Sequence, residues 1–190
     1  MKNARLILWI TIVVLIAGTV AAVWYAGKGR GVQKTATQAP AIGTAQLGGQ
    51  APSFQAATNH GYFDLAAANK PVFLEVFATW CPHCQRETTV IDQLYKKYKD
   101  RVDFVGVTGS TVGMDHQSPS SEQDTLNFVQ QFNVAYPVAF DGSMNVAKEY
   151  LQGGYPTLAV IDKNKKITYL SSGETPFSEL DAAIKAALSS

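Results

Sequence analysis

The sequence predicts a three-layer α/β domain over residues 49–190, carried behind an N-terminal membrane-spanning helix. Three observations lead there. Strand-like runs alternate with helical patterns from Phe54 to Phe140, the chain then closes on two consecutive strands and a last helix, and Leu6 to Ala26 holds no charged residue. Strands alternating with helices imply a sheet with helices packed on its faces. At about 1.5 Å per residue, a helix over the apolar run spans roughly the 30 Å hydrocarbon layer.

Residues 1–5 form a short flank and 6–26 the anchor or signal-anchor. Trp9 lies near one end, with Trp24 and Tyr25 at the other, and such amphipathic aromatics favour the two membrane interfaces. Lys2 and Arg5 precede the run, while Lys28, Arg30 and Lys34 follow it, so flanking charge does not decide orientation. Small residues around Thr19-Val20-Ala21-Ala22 also suit a cleaved export signal. Both readings put the following domain outside the cytoplasm, and the anchor reading makes the chain a single-pass protein of the cell membrane. Residues 27–48 are rich in Gly, Ala, Thr and Gln with one proline, which reads as a flexible linker. Its Gly27-Lys28-Gly29-Arg30-Gly31 stretch follows no strand and lacks the Lys-Ser/Thr ending of a phosphate loop. Those cations suit lipid headgroups better.

Within the domain, Phe54 and Gly61-Tyr62-Phe63 suggest an opening hairpin. Pro71 to Ala78 is nearly continuous in apolar residues, as a central strand covered on both faces would be. A helix from Cys81 to about Asp100 carries Val90, Ile91, Leu94, Tyr95 and Tyr98 at helical spacing. Val102 to Val107 is a second strand and Gly109 to Ser120 a polar loop. Ser121-Glu122-Gln123-Asp124 resembles a capping box opening the next helix. Pro137 to Phe140 reads as a short extended piece and Met144 to Leu151 as a short helix. Thr157 to Ile161 and Lys166 to Leu170 are strands joined by a turn at Asp162 to Lys165. Thr175-Pro176 opens the last helix, with Leu180, Ile184 and Leu188 on one stripe.

The formal net charge is +1, which gives no basic surface for a nucleic acid. Cys81 and Cys84 are the only 2 cysteines, so there is no structural disulfide framework and no four-ligand zinc site. Both sit in Trp80-Cys81-Pro82-His83-Cys84, after a strand and at the start of a helix. Unpaired N–H groups and the macrodipole at a helix N-terminus favour an anion, so Cys81 is expected to ionise readily and act as nucleophile. Cys84 follows by one turn, more buried, in a resolving position. Pro82 pre-sets the first turn. His83 adds a donor and, when protonated, a positive charge beside the thiolate, which would favour the reduced form and make the disulfide more oxidising. Gln85 stands where a c-type haem site needs histidine. A copper site could recruit Met114 or His116 from the polar loop.

These residues resemble the thioredoxin superfamily, and within it the TlpA/ResA-like membrane-tethered redoxins. The similarity covers about Gly49 to Leu188 and rests on Phe77-Ala-Thr-Trp-Cys81, Gly154-Tyr-Pro-Thr157, Val160-Ile-Asp-Lys163 and Phe140-Asp-Gly. The resemblance implies a thioredoxin fold, a central mixed sheet flanked by helices. It implies that Pro156 is the cis-proline facing the active-site disulfide, with Tyr155 presenting its backbone to an extended substrate, beside Trp80 and Pro82. Glu75, six residues before Cys81, matches the buried acid of thioredoxins and of the bacterial disulfide oxidase. Burial would raise its pKa and let it pass a proton to or from Cys84. Glu87 matches an acid of the tethered group, and its early-turn position also suits a partner for the helix dipole. Two departures stand out. Many members carry Cys-x-Pro-Cys, whereas Cys-Pro-His-Cys is the central pair of the disulfide-forming oxidase; and Thr89 stands where the group often has a helix-kinking proline. The tethered group is mostly reducing, as in cytochrome c maturation, so dipeptide and resemblance point in opposite directions.

The expectation is therefore an anchored thiol–disulfide oxidoreductase acting on protein thiols and disulfides, without an organic cofactor, and recharged by a membrane electron-transfer partner. A copper metallochaperone on the same fold and a thiol peroxidase are the alternatives.

Overall fold

The computed structural model describes residues 43–190, so the predicted span at 6–26 and most of the predicted linker lie outside the described residues. In chain order the elements are β1 (Gln55–Thr58), β2 (Gly61–Asp64), β3 (Val72–Phe77), α1 (Pro82–Tyr98), β4 (Asp103–Thr108), α2 (Glu122–Gln131), β5 (Val138–Ala139), α3 (Asn145–Tyr150), β6 (Thr157–Ile161), β7 (Ile167–Ser172) and α4 (Phe177–Leu188). Among the described residues no helix is long and apolar enough to cross a membrane.

The strands form one 7-stranded sheet in the order β2-β1-β5-β4-β3-β6-β7. β3 pairs in parallel with β4 and antiparallel with β6, so the sheet is mixed and β3 sits deep inside it. All six residues of β3 are buried, which is why the run shows no polar alternation. The period of two nevertheless sorts its side chains. Phe73 and Phe77 join the core under α1, α2 and α4, whereas Val72, Leu74 and Val76 join the core under α3. Glu75 therefore falls on the α1 side, between the two phenylalanines.

Helix α1 starts where the sequence places it. Cys81 is the N-cap with extended backbone (φ −79°, ψ 117°), and Pro82 occupies the first turn. Its buried stripe, Cys84, Glu87, Thr88, Ile91, Leu94 and Tyr98, follows helical spacing. It runs unbroken through Thr89, where the resembling group often has proline. Tyr98 donates to Asp181 at 2.7 Å and Lys97 pairs with the same carboxylate at 2.5 Å, tying α1 to α4, while Lys185 pairs with it within α4 at 2.7 Å. The predicted capping box is present on α2: Ser121 accepts from Asp124 N–H and Asp124 from Ser121 N–H. β7 extends two residues past the expected Leu170, because Leu158 and Thr157 supply partners for Ser171 and Ser172.

One boundary needs correction. The sequence places the end of the linker at residue 48, yet residues 43–48 belong to the domain. Gly43 and Ala45 donate to the Leu151 and Glu149 carbonyls, Gly48 donates to Ile167, and Ala45 is 2% exposed. Gly43 is needed where the backbone presses against the end of α3, because a Cβ there would overlap the Glu149 carbonyl. Gly43→Ala is expected to destabilise the domain by about 1–3 kcal/mol in a denaturant titration; an unchanged midpoint would return residues 43–48 to the linker.

Candidate active site

The strand-to-helix turn delivers both cysteines to one place. Cys81 N–H donates to the Ala78 carbonyl at 3.0 Å, closing the turn out of β3. Cys81 is 4% exposed and Cys84 fully buried, and both are free thiols. The Cys84 thiol donates to the Cys81 sulfur, and the backbone N–H groups of Cys84 and His83 add to it. Against the opposing effect of burial, these bring the Cys81 pKa down to about 6. Burial, the role of donor to Cys81 and the charge of Glu75 push Cys84 far up instead. At neutral pH the pair is one thiolate and one thiol, with the thiolate on the more exposed sulfur.

The Tyr155–Pro156 peptide bond is cis, and the Tyr155 carbonyl lies 3.7 Å from Cys81 Sγ. The Tyr155 hydroxyl bonds the Gly109 carbonyl. Trp80 packs edge-on against Tyr155 at 5.9 Å and donates its indole N–H to Ser110 Oγ at 2.8 Å. Pro82 is exposed beside them. Trp80, Cys81, Pro82, Tyr155 and Pro156 thus form one rim.

Glu75 lies beneath, fully buried. Its Oε2 accepts from the Tyr136 hydroxyl at 2.7 Å, while Oε1 has no hydrogen-bond partner among the described residues. Burial raises its pKa to about 8 against the pull of the Tyr136 bond, and the charges of Glu87, Cys81 and Asp92 add to the rise. Glu87 is not a solvent-facing dipole partner: it is 2% exposed, and its Oε2 accepts from Thr175 N–H at 3.2 Å. Burial lifts it to about 7, opposed by that bond and helped by Glu174.

His83 is placed differently from the expectation. Its ring turns to a carboxylate rather than to Cys81. Nδ1 lies 2.5 Å from Glu174 Oε1, with the Arg86 guanidinium completing the cluster, and its side chain is 60% exposed. This carboxylate on the β7–α4 turn outcompetes the thiolate for the imidazole, so His83 serves Cys81 mainly through its backbone N–H, with its charge the smaller influence. Glu174, Tyr136 and Ser110 carry no signal in the sequence, being distant in the chain from the groups they meet; Arg86, three residues after His83, is readable as its neighbour on the helix face. His116 packs beside Trp80 at 5.3 Å, and among the described residues no group of three or more His, Cys, Asp and Glu side chains is arranged to hold a metal.

Residues 46–184 match the redoxin family. The chain belongs to that family. It is 29% identical over 189 residues to the thiol-disulfide oxidoreductase ResA of Bacillus anthracis, covering 97% of this chain and 98% of the relative. The thioredoxin-like protein YneN of Bacillus subtilis is 27% identical over 138 residues, 72% of this chain and 77% of that one. Among solved structures, a thiol:disulfide interchange protein of the thioredoxin family from Chlorobium tepidum superposes with a TM-score of 0.61 at 27% identity, over 76% of this chain and 99% of its own. The fold is a thioredoxin fold and this redoxin is a ResA-like disulfide oxidoreductase.

The buried acid makes a prediction about stability. A carboxyl raised from 4.5 to about 8 stays protonated in the folded state over a range where the unfolded chain ionises. Its contribution to stability therefore falls as pH rises from about 4.5 to 8. Glu75→Gln is expected to be more stable than the parent above pH 8, with the gap closing toward pH 4.5. Denaturant titrations at both ends check this, and a gap independent of pH would contradict it.

Proposed function

We propose that this redoxin exchanges disulfides with protein substrates outside the cytoplasm, tethered by the span at 6–26. The observation that carries the reading is the asymmetric pair: a Cys81 thiolate at the helix N-terminus, with the Tyr155 carbonyl at 3.7 Å and a buried, protonated Cys84 behind it. The uncharged run from Leu6 to Ala26 supports the tether and the export of the domain.

Starting from the Cys81–Cys84 disulfide, a substrate thiolate attacks Cys81 Sγ. The Cys84 sulfur leaves and takes a proton from Glu75. A second substrate thiolate then attacks the mixed disulfide, releasing a substrate disulfide and the Cys81 thiolate. The reducing direction runs the same steps backwards, and Glu75 then accepts the Cys84 proton. Glu87 holds the Gly173–Thr175 turn against α1 and adds negative charge near Glu75. A membrane electron-transfer partner restores the pair after each cycle.

Direction follows from how strongly the thiolate is held. A Cys81 pKa of about 6 lies between the ~7 of thioredoxin and the ~3.5 of the strongest bacterial disulfide oxidase. The corresponding potentials are about −270 and −120 mV. A Cys81 thiolate held in this way stabilises the reduced pair and supports the oxidising direction. Equilibration with glutathione buffers is expected to give a potential between those limits; a value at or below that of thioredoxin would make it a reductase.

Trapping tests both chemistry and location. In the full-length chain, Cys84→Ser is expected to accumulate mixed disulfides with protein substrates, and Cys81→Ser few or none. Protease added to intact spheroplasts is expected to digest the trapped conjugates. The opposite trapping pattern would overturn the roles of the cysteines, and conjugates protected until lysis would overturn the location.

A further inference from the structure

Tyr136 sits in the connection between α2 and β5, 1% exposed, and nothing in the spacing around it marks it out. Its hydroxyl donates to Glu75 Oε2 at 2.7 Å in a fully buried setting. Four neighbours make this contact possible. Gly106 lies opposite Glu75 in the β3–β4 ladder. A Cβ there would stand 3.0 Å from Tyr136 Cε2 and 3.5 Å from Glu75 Oε2, so the glycine leaves the room the pair occupies. Gly106 N–H also donates to the Pro137 carbonyl at 2.8 Å, and Ala135 N–H to Asp92 Oδ1 at 2.9 Å. The residues on either side of Tyr136 are thereby pinned to β4 and to α1.

We propose that Tyr136 is a positioning residue for Glu75: its hydroxyl fixes one carboxyl oxygen and leaves Oε1 as the acceptor for the Cys84 proton. The inference rests on the disulfide-exchange reading above. Among the described residues Tyr136 is the one side chain that donates a hydrogen bond to Glu75. The titratable groups around the carboxyl are Cys81, Cys84, Glu87 and Asp92, all on or at the start of α1, and the charges of Cys81, Glu87 and Asp92 disfavour a second negative charge. A donor that stabilises the carboxylate is what keeps Glu75 able to ionise near neutral pH. When the protein reduces a substrate disulfide, the Cys84 S–H proton passes to Oε1, the Cys84 sulfur bonds Cys81 Sγ, and the substrate sulfur leaves as thiolate. With Oε2 held, the carboxyl presents one free oxygen rather than rotating between two.

The test compares pH profiles of disulfide reduction for the parent, Tyr136→Phe, Glu75→Gln and the double variant, with circular dichroism to confirm folding. Losing a hydrogen bond to a charged group shifts its titration by about one unit. Tyr136→Phe is therefore expected to move the Glu75 limb upward by about one pH unit and to slow exchange at pH 7 by about tenfold. In the Glu75→Gln background Tyr136→Phe is expected to change nothing further. Should the phenylalanine variant not fold, 3-fluorotyrosine at position 136 keeps the shape with a stronger donor and is expected to move the limb downward. An unshifted limb in a folded variant, or equal slowing with and without Glu75, overturns the positioning role. If Glu75→Gln itself leaves the parent profile unchanged, it is the proton-transfer role of Glu75 that falls, and the inference with it.

Discussion

The connection from β3 into α1 constrains everything near the cysteines. β3 is paired on both sides and covered on both faces, so its end cannot shift without breaking two ladders. The turn from Ala78 to Cys81 leaves that fixed end and delivers Cys81 to the N-terminus of α1. The first-turn N–H groups then have an anion to bind, and the helix spacing puts Cys84 one turn further in, under the sheet. The difference between the two sulfurs is a consequence of geometry, since chemically they are the same side chain.

The same pleat that buries Phe73 and Phe77 buries Glu75 between them. A carboxyl in that place costs stability whenever it ionises, and the fold offsets only part of the cost through Tyr136. Such a site is difficult to explain as packing, because an apolar residue would fill the position without the penalty. Among the described residues, buried oxygens of Glu75, Glu87 and Thr79 without a hydrogen-bond partner collect around α1 and its entry turn.

Local signals carry far in this sequence. The apolar run of β3, the capping box of α2 and the cysteine motif at a helix start all depend on short spacings, and each is legible. Glu75 is legible because its neighbours in the strand are apolar. What escapes is whatever depends on tertiary approach. Glu174 reaches His83 across 91 positions and Tyr136 reaches Glu75 across 61, and no periodicity links such pairs. His83 illustrates the consequence: its motif suggests a service to the thiolate that a distant carboxylate has largely taken over. The strap at residues 43–48 escapes for another reason, because small residues that read as a flexible tether are also those that allow a backbone to lie against another backbone.

That strap has a mechanical meaning. It hydrogen-bonds the end of α3 and the start of β7, and Ala45 packs into the core on the face opposite the one that holds Cys84. Tension entering the domain from its N-terminal side is borne by α3, the outermost strand and that second core. The sheet stands between that strap and the thiols, so a load on residues 43–48 would reach the far core first, while the spacing of the sulfurs stays as the first helix sets it.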